Sequence, residues 1–144
     1  MDEIYAHALK LLRARDYTVS QLNQKLETKF GSVPQEVVDR LIRKKFLDDR
    51  RFAENYVTRR KKRGPVLLRE ELLARGVPSA LADEILSQTD LPSLKDALTS
   101  KMIDWKLRAP LQLRDATRLF RALSRLGYDE DAIREELEQI RERY

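Results

Sequence analysis

The chain has 144 residues, of which 37% are charged and 42% hydrophobic, so it has the length of one ordinary domain and enough apolar residues to form a core. It has no cysteine and one histidine, which excludes a disulfide framework, thiolate metal sites and a histidine-rich metal cluster. Four glycines and five prolines are too few for a turn-rich all-β sandwich or barrel.

The uncharged segments are too short for a membrane protein. The longest of them, Tyr17–Gln24, has eight residues, whereas a transmembrane helix needs about 20 apolar ones. The chain also starts with acidic residues where a secretory signal peptide would be basic. These features predict a soluble protein of the cytoplasm.

Apolar residues recur every three or four positions along most of the chain, and no period-two alternation is present. The pattern predicts an all-α protein of nine helices. In chain order, the nine apolar stripes contain Ile4 and Ala8, Leu22 and Leu26, Val37 and Leu41, Phe52 and Tyr56, Leu68 and Leu72, Leu81 and Ile85, Leu98 and Met102, Leu119 and Leu123, and Ile133 and Leu137.

Helix boundaries are indicated by capping residues. Thr18 and Gln21 have the spacing of a capping box, as do Ser93 and Asp96. Glycine is typical of the left-handed residue that ends a helix, and proline of the first helical turn. Further boundary residues are Gly31, Gly76 and Gly127 at predicted helix ends, Pro34 and Pro78 at predicted starts, and Pro65 and Pro110 at two further breaks.

These boundaries repeat with a period of roughly 45 to 50 residues, the length of a small helical repeat. Leu68, Leu72 and Gly76 have the same spacing as the later set Leu119, Leu123 and Gly127. We therefore expect three tandem three-helix repeats, over residues 1–47, 48–90 and 91–144. Repeats of this kind stack on their neighbours, which predicts an elongated, curved helical solenoid.

The most distinctive feature is a run of five consecutive cations, Arg59–Arg63, followed by Gly64 and Pro65. Residues 59–75 contain seven basic and two acidic residues, so this segment carries the whole formal charge of +5. We expect the run to form the end of the preceding helix, with its side chains surrounding that end, where one or two cations favour the helix dipole. Five exceed what the dipole explains. The run therefore predicts a binding patch for nucleic acid or an acidic protein surface, and a solvated helix end is the alternative.

Other candidate sites have simpler interpretations. Asp48 and Asp49 could hold a divalent cation, but a helix N-cap followed by a favourable first-turn charge explains both. His7 has no partners in a recognisable catalytic arrangement and is expected at the surface or in packing. The four glycines are not clustered, which excludes the common phosphate-binding loops. The sequence therefore predicts a protein that is not an enzyme and that has no metal and no cofactor.

The aromatic residues could stack on nucleobases, but most occupy apolar positions. We expect Phe52 and Tyr56 in the core. Trp105, with Lys101, Lys106 and Arg108 around it, is the aromatic residue for which burial is least expected. Five more aromatic residues are predicted to be core: Tyr17, Phe30, Phe46, Phe120 and Tyr128.

The segment from Phe46 to Ala53, then Tyr56, the basic run and Gly64-Pro65, resembles the central signature of the RecX family. Leu68–Leu72 and Arg75–Val77 are similar to the segment that follows it. In the first repeat, Ala8 to Leu12, Arg15, Leu22, Lys25 and Leu26 resemble the family as well. The third repeat (Leu126–Tyr128, Ala132 and Ile133) resembles it more loosely. Gln21 stands where the family more often has glutamate.

The resemblance implies a bacterial negative regulator of the RecA recombinase, acting in DNA repair and homologous recombination. Such proteins bind in the groove of the RecA filament on single-stranded DNA and inhibit its ATPase, its strand exchange and its coprotease role in the SOS response. We expect a monomer, and weak direct binding of DNA is left open. The predicted contact residues are Arg59, Arg60, Lys61, Lys62 and Arg63, with Arg50, Arg51 and Arg69 as neighbours.

Two alternatives remain open. One is a stand-alone DNA-binding protein or transcription regulator that uses one three-helix unit as a helix-turn-helix. The other is a structural scaffold, which would leave the clustered charge unexplained. Reversal of Arg59, Lys62 and Arg63 to glutamate is expected to weaken partner binding and leave the helical circular dichroism intact. Arg60 could be structural, since it aligns with Arg15 of the first repeat.

Overall fold

The computed structural model describes residues 2–141 and folds them into nine α-helices, with no strand in that range. The all-α class and the predicted number of helices are confirmed for these residues. No helix among them has the length and apolar character needed to cross a membrane. The helices are α1 Asp2–Ala14, α2 Val19–Phe30, α3 Gln35–Arg43, α4 Asp49–Thr58, α5 Pro65–Ala74, α6 Ser79–Gln88, α7 Leu94–Asp104, α8 Leu113–Arg125 and α9 Glu130–Ile140.

The predicted capping residues occupy helix starts. The Thr18 hydroxyl accepts a hydrogen bond from the Gln21 amide at 3.0 Å, and the Thr18 amide donates to the Gln21 side chain at 3.1 Å. This completes a capping box. The Ser93 hydroxyl accepts from the Asp96 amide at 3.1 Å.

The three glycines have the positive φ expected after a helix, and two proline predictions are wrong by one position. The φ angles are 79° at Gly31 and 91° at both Gly76 and Gly127, a backbone conformation that favours glycine, although the ψ of Gly31, −110°, lies outside the left-handed helical region. Pro34 and Pro78, predicted in the first helical turn, each lie immediately before it, because α3 begins at Gln35 and α6 at Ser79.

The chain divides into two units that differ from the predicted repeats. Unit 1 contains the described residues up to Thr58 together with Glu71–Ser87. Unit 2 contains Arg59–Glu70 together with the described residues from Gln88 onward. The division into three repeats stays a prediction.

The core of unit 1 forms around fully buried leucines. Leu22 and Leu26 of α2 pack with Leu41 of α3 and with Leu47, which follows α3. Thr18 is the one buried polar residue among those described, and its hydroxyl donates to the Arg75 carbonyl at 2.6 Å. The same hydroxyl therefore caps α2 and satisfies a carbonyl 57 residues away in sequence.

Thr18→Val is expected to lower the free energy of unfolding by about 1 to 3 kcal/mol, the usual effect of leaving buried polar groups without partners. Valine keeps the shape of threonine but removes the hydroxyl that serves both Arg75 and Gln21. Urea unfolding followed by circular dichroism would measure the change. Thr18→Ser retains the hydroxyl and is the control, and an equal loss in both variants would contradict this explanation.

The core of unit 2 contains buried residues of α7, α8 and α9. Leu98, Leu119, Leu123 and Ile133 are at most 5% exposed. The Tyr128 hydroxyl donates to the Pro92 carbonyl at 2.9 Å, which connects the end of α8 to the segment before α7. The apolar face of α8 packs in this core, and the opposite face of the helix is exposed to solvent.

Candidate partner-binding surface

The run Arg59–Arg63 is a turn and not the end of a helix, which corrects the sequence-based expectation. Helix α4 ends at Thr58 and α5 begins at Pro65. The Arg63 amide donates to the Arg60 carbonyl at 3.0 Å and closes the turn. Arg59, Lys61 and Lys62 are exposed, whereas Arg60 and Arg63 are half-buried. We call residues 59–63 the basic turn.

The basic turn is anchored at its C-terminal side by Gly64. The Gly64 amide donates to the Leu126 carbonyl at the end of α8, and the Gly64 carbonyl accepts from Leu68 at 3.1 Å in the first turn of α5. A Cβ at Gly64 would lie 2.9 Å from the Leu126 oxygen, closer than real side chains approach. Glycine at this position therefore lets the two backbones meet, and Pro65 fits the first helical position.

The anchor also places cations near the negative end of a helix dipole. Leu126 is the C-cap of α8, and its carbonyl is one of the last of that helix. Cations near such an end are favourable, typically by 0.3–1 kcal/mol each. The basic turn is therefore held near the end of α8, but its exposed cations still exceed what capping requires.

Arg50 and Arg51, predicted as neighbours of the patch, make bonds within unit 1. The Arg50 guanidinium pairs with the Glu84 carboxylate at 2.9 Å. The hydrogen bond to Glu84 and the negative charge of that carboxylate raise the pKa of Arg50 above its ordinary value. The Arg51 guanidinium donates to the carbonyls of Lys45 (3.0 Å) and Phe46 (3.3 Å) after α3. Arg69 is half-buried on α5, in unit 2. Partner contact by these three arginines stays a prediction.

The two aspartates at the start of α4, Asp48 before its first residue and Asp49 as that residue, act as capping residues. Asp48 accepts from the Arg51 amide at 3.1 Å, as an N-cap should. Asp49 accepts from the Val19 amide at 2.9 Å and so serves the first turn of α2. Burial raises the pKa of Asp49, the Val19 bond opposes that shift, and the Asp48 charge adds to it. No group of three or more metal-ligating side chains occurs among residues 2–141.

Most aromatic predictions are confirmed, and one is wrong. Phe52 and Tyr56 are buried and stack at 6.1 Å between ring centroids. The Tyr56 hydroxyl donates to Glu71 at 2.8 Å. Phe46, predicted in the core, is 44% exposed, because Lys45 has a φ of 63° and the chain turns so that Leu47 fills the core instead. Tyr17 and Tyr128 are buried, while His7, Phe30, Phe120 and Trp105 are half-buried.

A second set of cations, on α8, was not predicted from the sequence. Four exposed arginines on this helix share one face, and their spacing of three or four residues is visible in the sequence. The apolar stripe of the same helix, on the opposite face, is the stronger pattern. We call this set the α8 arginine row: Arg114, Arg118, Arg121 and Arg125.

The basic turn and the α8 arginine row both belong to unit 2, which carries all of the net charge. Its sequence contains 17 of the 29 lysines and arginines and 12 of the 24 acidic residues. Unit 1 contains 12 of each sign and is formally neutral. An anionic partner would therefore be attracted to unit 2.

Comparison with known proteins identifies the family. Residues 48–86 match the family model described as RecX, second three-helix domain. The regulatory protein RecX of Trichlorobacter lovleyi is 33% identical, with 95% of each chain covered, and that of Halorhodospira halophila is 34% identical over 88% of this chain and 81% of its own. The crystal structure of RecX from Lactobacillus salivarius has the same fold, with a TM-score of 0.72 and 19% identity over 96% of this chain and 97% of that one.

The segment matched by the family model begins at Asp48 and contains α4, the basic turn and α5. The family model therefore covers the run of five cations, the most distinctive feature of the sequence. The similarity to the curated relatives extends from there over nearly the whole chain, and these relatives are named as regulatory proteins. This chain belongs to the RecX family.

Proposed function

We propose that this protein is a negative regulator of the RecA recombinase, which it binds in the cytoplasm as a monomer on the RecA filament that coats single-stranded DNA. In this proposal it lowers the filament's ATPase, strand-exchange and SOS-coprotease activities and performs no catalysis of its own. The supporting observation is the basic turn, which lies in the segment that matches the RecX family and presents three exposed cations on an anchored backbone.

The anchoring matters for the proposed contact. A flexible run of cations would lose conformational freedom when it bound, and that loss would weaken the complex. Here the Arg60–Arg63 hydrogen bond and the Gly64–Leu126 hydrogen bond fix the turn before any partner arrives. Electrostatic complementarity of this kind also speeds association with an anionic surface.

The proposal predicts inhibition of RecA at low ratios. RecA's ATP hydrolysis on excess single-stranded DNA is titrated with this protein well below one molecule per RecA. We expect the rate to fall at these ratios, because one bound molecule would affect many protomers of a filament. Inhibition only when the protein saturates the DNA would overturn the proposal in favour of simple DNA binding, as expected of a stand-alone helix-turn-helix protein.

A further inference from the structure

The outer face of α8 is unusually uniform in charge. At about 100° per residue, the α8 arginine row falls within an arc of roughly 60°. The buried residues Ala116, Leu119 and Leu123 lie on the opposite side of the helix. The row therefore extends along a single solvent-facing line, about 16 Å long at 1.5 Å per residue.

The charge of the row is poorly compensated. Asp115 is the only acidic residue of α8, and its carboxylate lies 3.5 Å from Arg118 and 3.9 Å from Arg114. Arg121 and Arg125 form no ion pair with any residue in the range 2–141. Arg125 lies in the last turn of α8, where a cation favours the helix dipole. Like charges one turn apart destabilise a helix, so helix stability does not explain the row as a whole.

An aromatic ring lies beside the row. The Arg118 guanidinium carbon is 4.6 Å from the centroid of the Trp105 ring, and the Lys101 ammonium is 5.7 Å from it. Trp105 is half-buried, so part of its surface faces solvent. Cations combined with an accessible aromatic side chain are typical of surfaces that bind unpaired nucleic acid strands.

We propose that the α8 arginine row, with Trp105 and Lys101, binds the phosphate backbone of single-stranded nucleic acid directly, without RecA. Guanidinium groups bind phosphate through paired hydrogen bonds, and successive arginines one helical turn apart can follow a chain of phosphates. The adjacent ring favours a nucleic acid over an acidic protein, because an unpaired base can stack near Trp105. This inference does not depend on the proposed function.

The test uses the full-length chain and a fluorescently labelled oligodeoxythymidylate, with no RecA present. Binding is measured by fluorescence anisotropy over a series of salt concentrations. Arg121→Glu/Arg125→Glu is expected to weaken binding at least tenfold. It should also reduce the slope of log affinity against log salt by about 1.4, since each phosphate contact on a single strand contributes about 0.7.

Two controls make the result specific. Lys10→Glu/Lys44→Glu changes two exposed cations of unit 1, alters the net charge equally, and should leave the affinity within about twofold of the wild type, because neither lies in the basic unit. Arg121→Gln/Arg125→Gln removes the cations without adding acids and should lie between the wild type and the reversed variant. Circular dichroism and thermal unfolding verify that each variant folds.

The sole tryptophan gives a second readout, since DNA bound along the row should change its fluorescence in the wild type. Unchanged affinity in the row variants, or an equal loss in the Lys10/Lys44 variant, would overturn the proposal. Equally tight binding of poly-L-glutamate, with the same dependence on Arg121 and Arg125, would assign the row to an acidic protein partner and overturn it as well.

Discussion

Charge reversal of the three exposed cations of the basic turn, as Arg59→Glu/Lys61→Glu/Lys62→Glu, is expected to weaken RecA inhibition by on the order of a hundredfold. Each substitution replaces an attraction to an anionic partner by a repulsion. The substitutions leave Arg63 in place because it is half-buried. The measurement is the protein concentration that halves RecA's DNA-dependent ATP hydrolysis.

The matched control is Lys10→Glu/Arg13→Glu/Lys44→Glu, which makes the same change in net charge at exposed positions of unit 1. We expect this variant to inhibit nearly as well as the wild type. Equal potency of both triple variants would remove the basic turn from the contact. Measurement of oligodeoxythymidylate binding by the same two variants separates the turn from the α8 arginine row, since the row is intact in both.

Gly127→Ala is expected to lower the free energy of unfolding by about 3 kcal/mol or more. A φ of 91° is costly for any residue with a Cβ, by roughly 1–2 kcal/mol. A Cβ at Gly127 would also collide with the backbone of Leu67 at the start of α5, and forced overpacking usually costs a further 1–3 kcal/mol. Urea unfolding of the full chain would measure the sum.

Two other glycines separate these contributions. Gly31 has a φ of 79°, but a Cβ added there would meet no atom within 4 Å, so Gly31→Ala should show the backbone effect alone. Gly64 has no positive φ but lies against Leu126 and Gly127, so Gly64→Ala should show the steric effect alone and should also displace the basic turn. If Gly127→Ala cost no more than Gly31→Ala, the contact with Leu67 would not be tight.

The features predicted correctly from sequence are those that depend on short spacings. Helix periodicity, the Thr18–Gln21 box and the glycines at helix ends all involve residues within a few positions of one another. The conformation of residues 59–63 could not be predicted in this way, because it depends on a hydrogen bond from Gly64 to Leu126, far away in sequence. The sequence predicted a longer α4, whereas the helix ends at Thr58.

The patterns of charged residues in the sequence were harder to interpret than those of apolar residues. The five adjacent cations were conspicuous in the sequence, whereas the α8 arginine row is spread over 12 positions and is recognisable only at helical spacing. Arg50 and Arg51 illustrate the opposite difficulty. They lie within the signature segment, but their guanidinium groups bond to Glu84 and to the carbonyls after α3, and no short-range pattern predicts those partners.

The start of α2 is completed by two later parts of the chain, and this limits how the protein could be rearranged during evolution. Asp49, at the start of α4, accepts from the Val19 amide, and the carbonyl of Arg75, after α5, accepts from the Thr18 hydroxyl. A gene duplication that copied α1, α2 and α3 alone would produce a module lacking both partners. Exchange of the first three helices between relatives would therefore require compatible residues at both later positions.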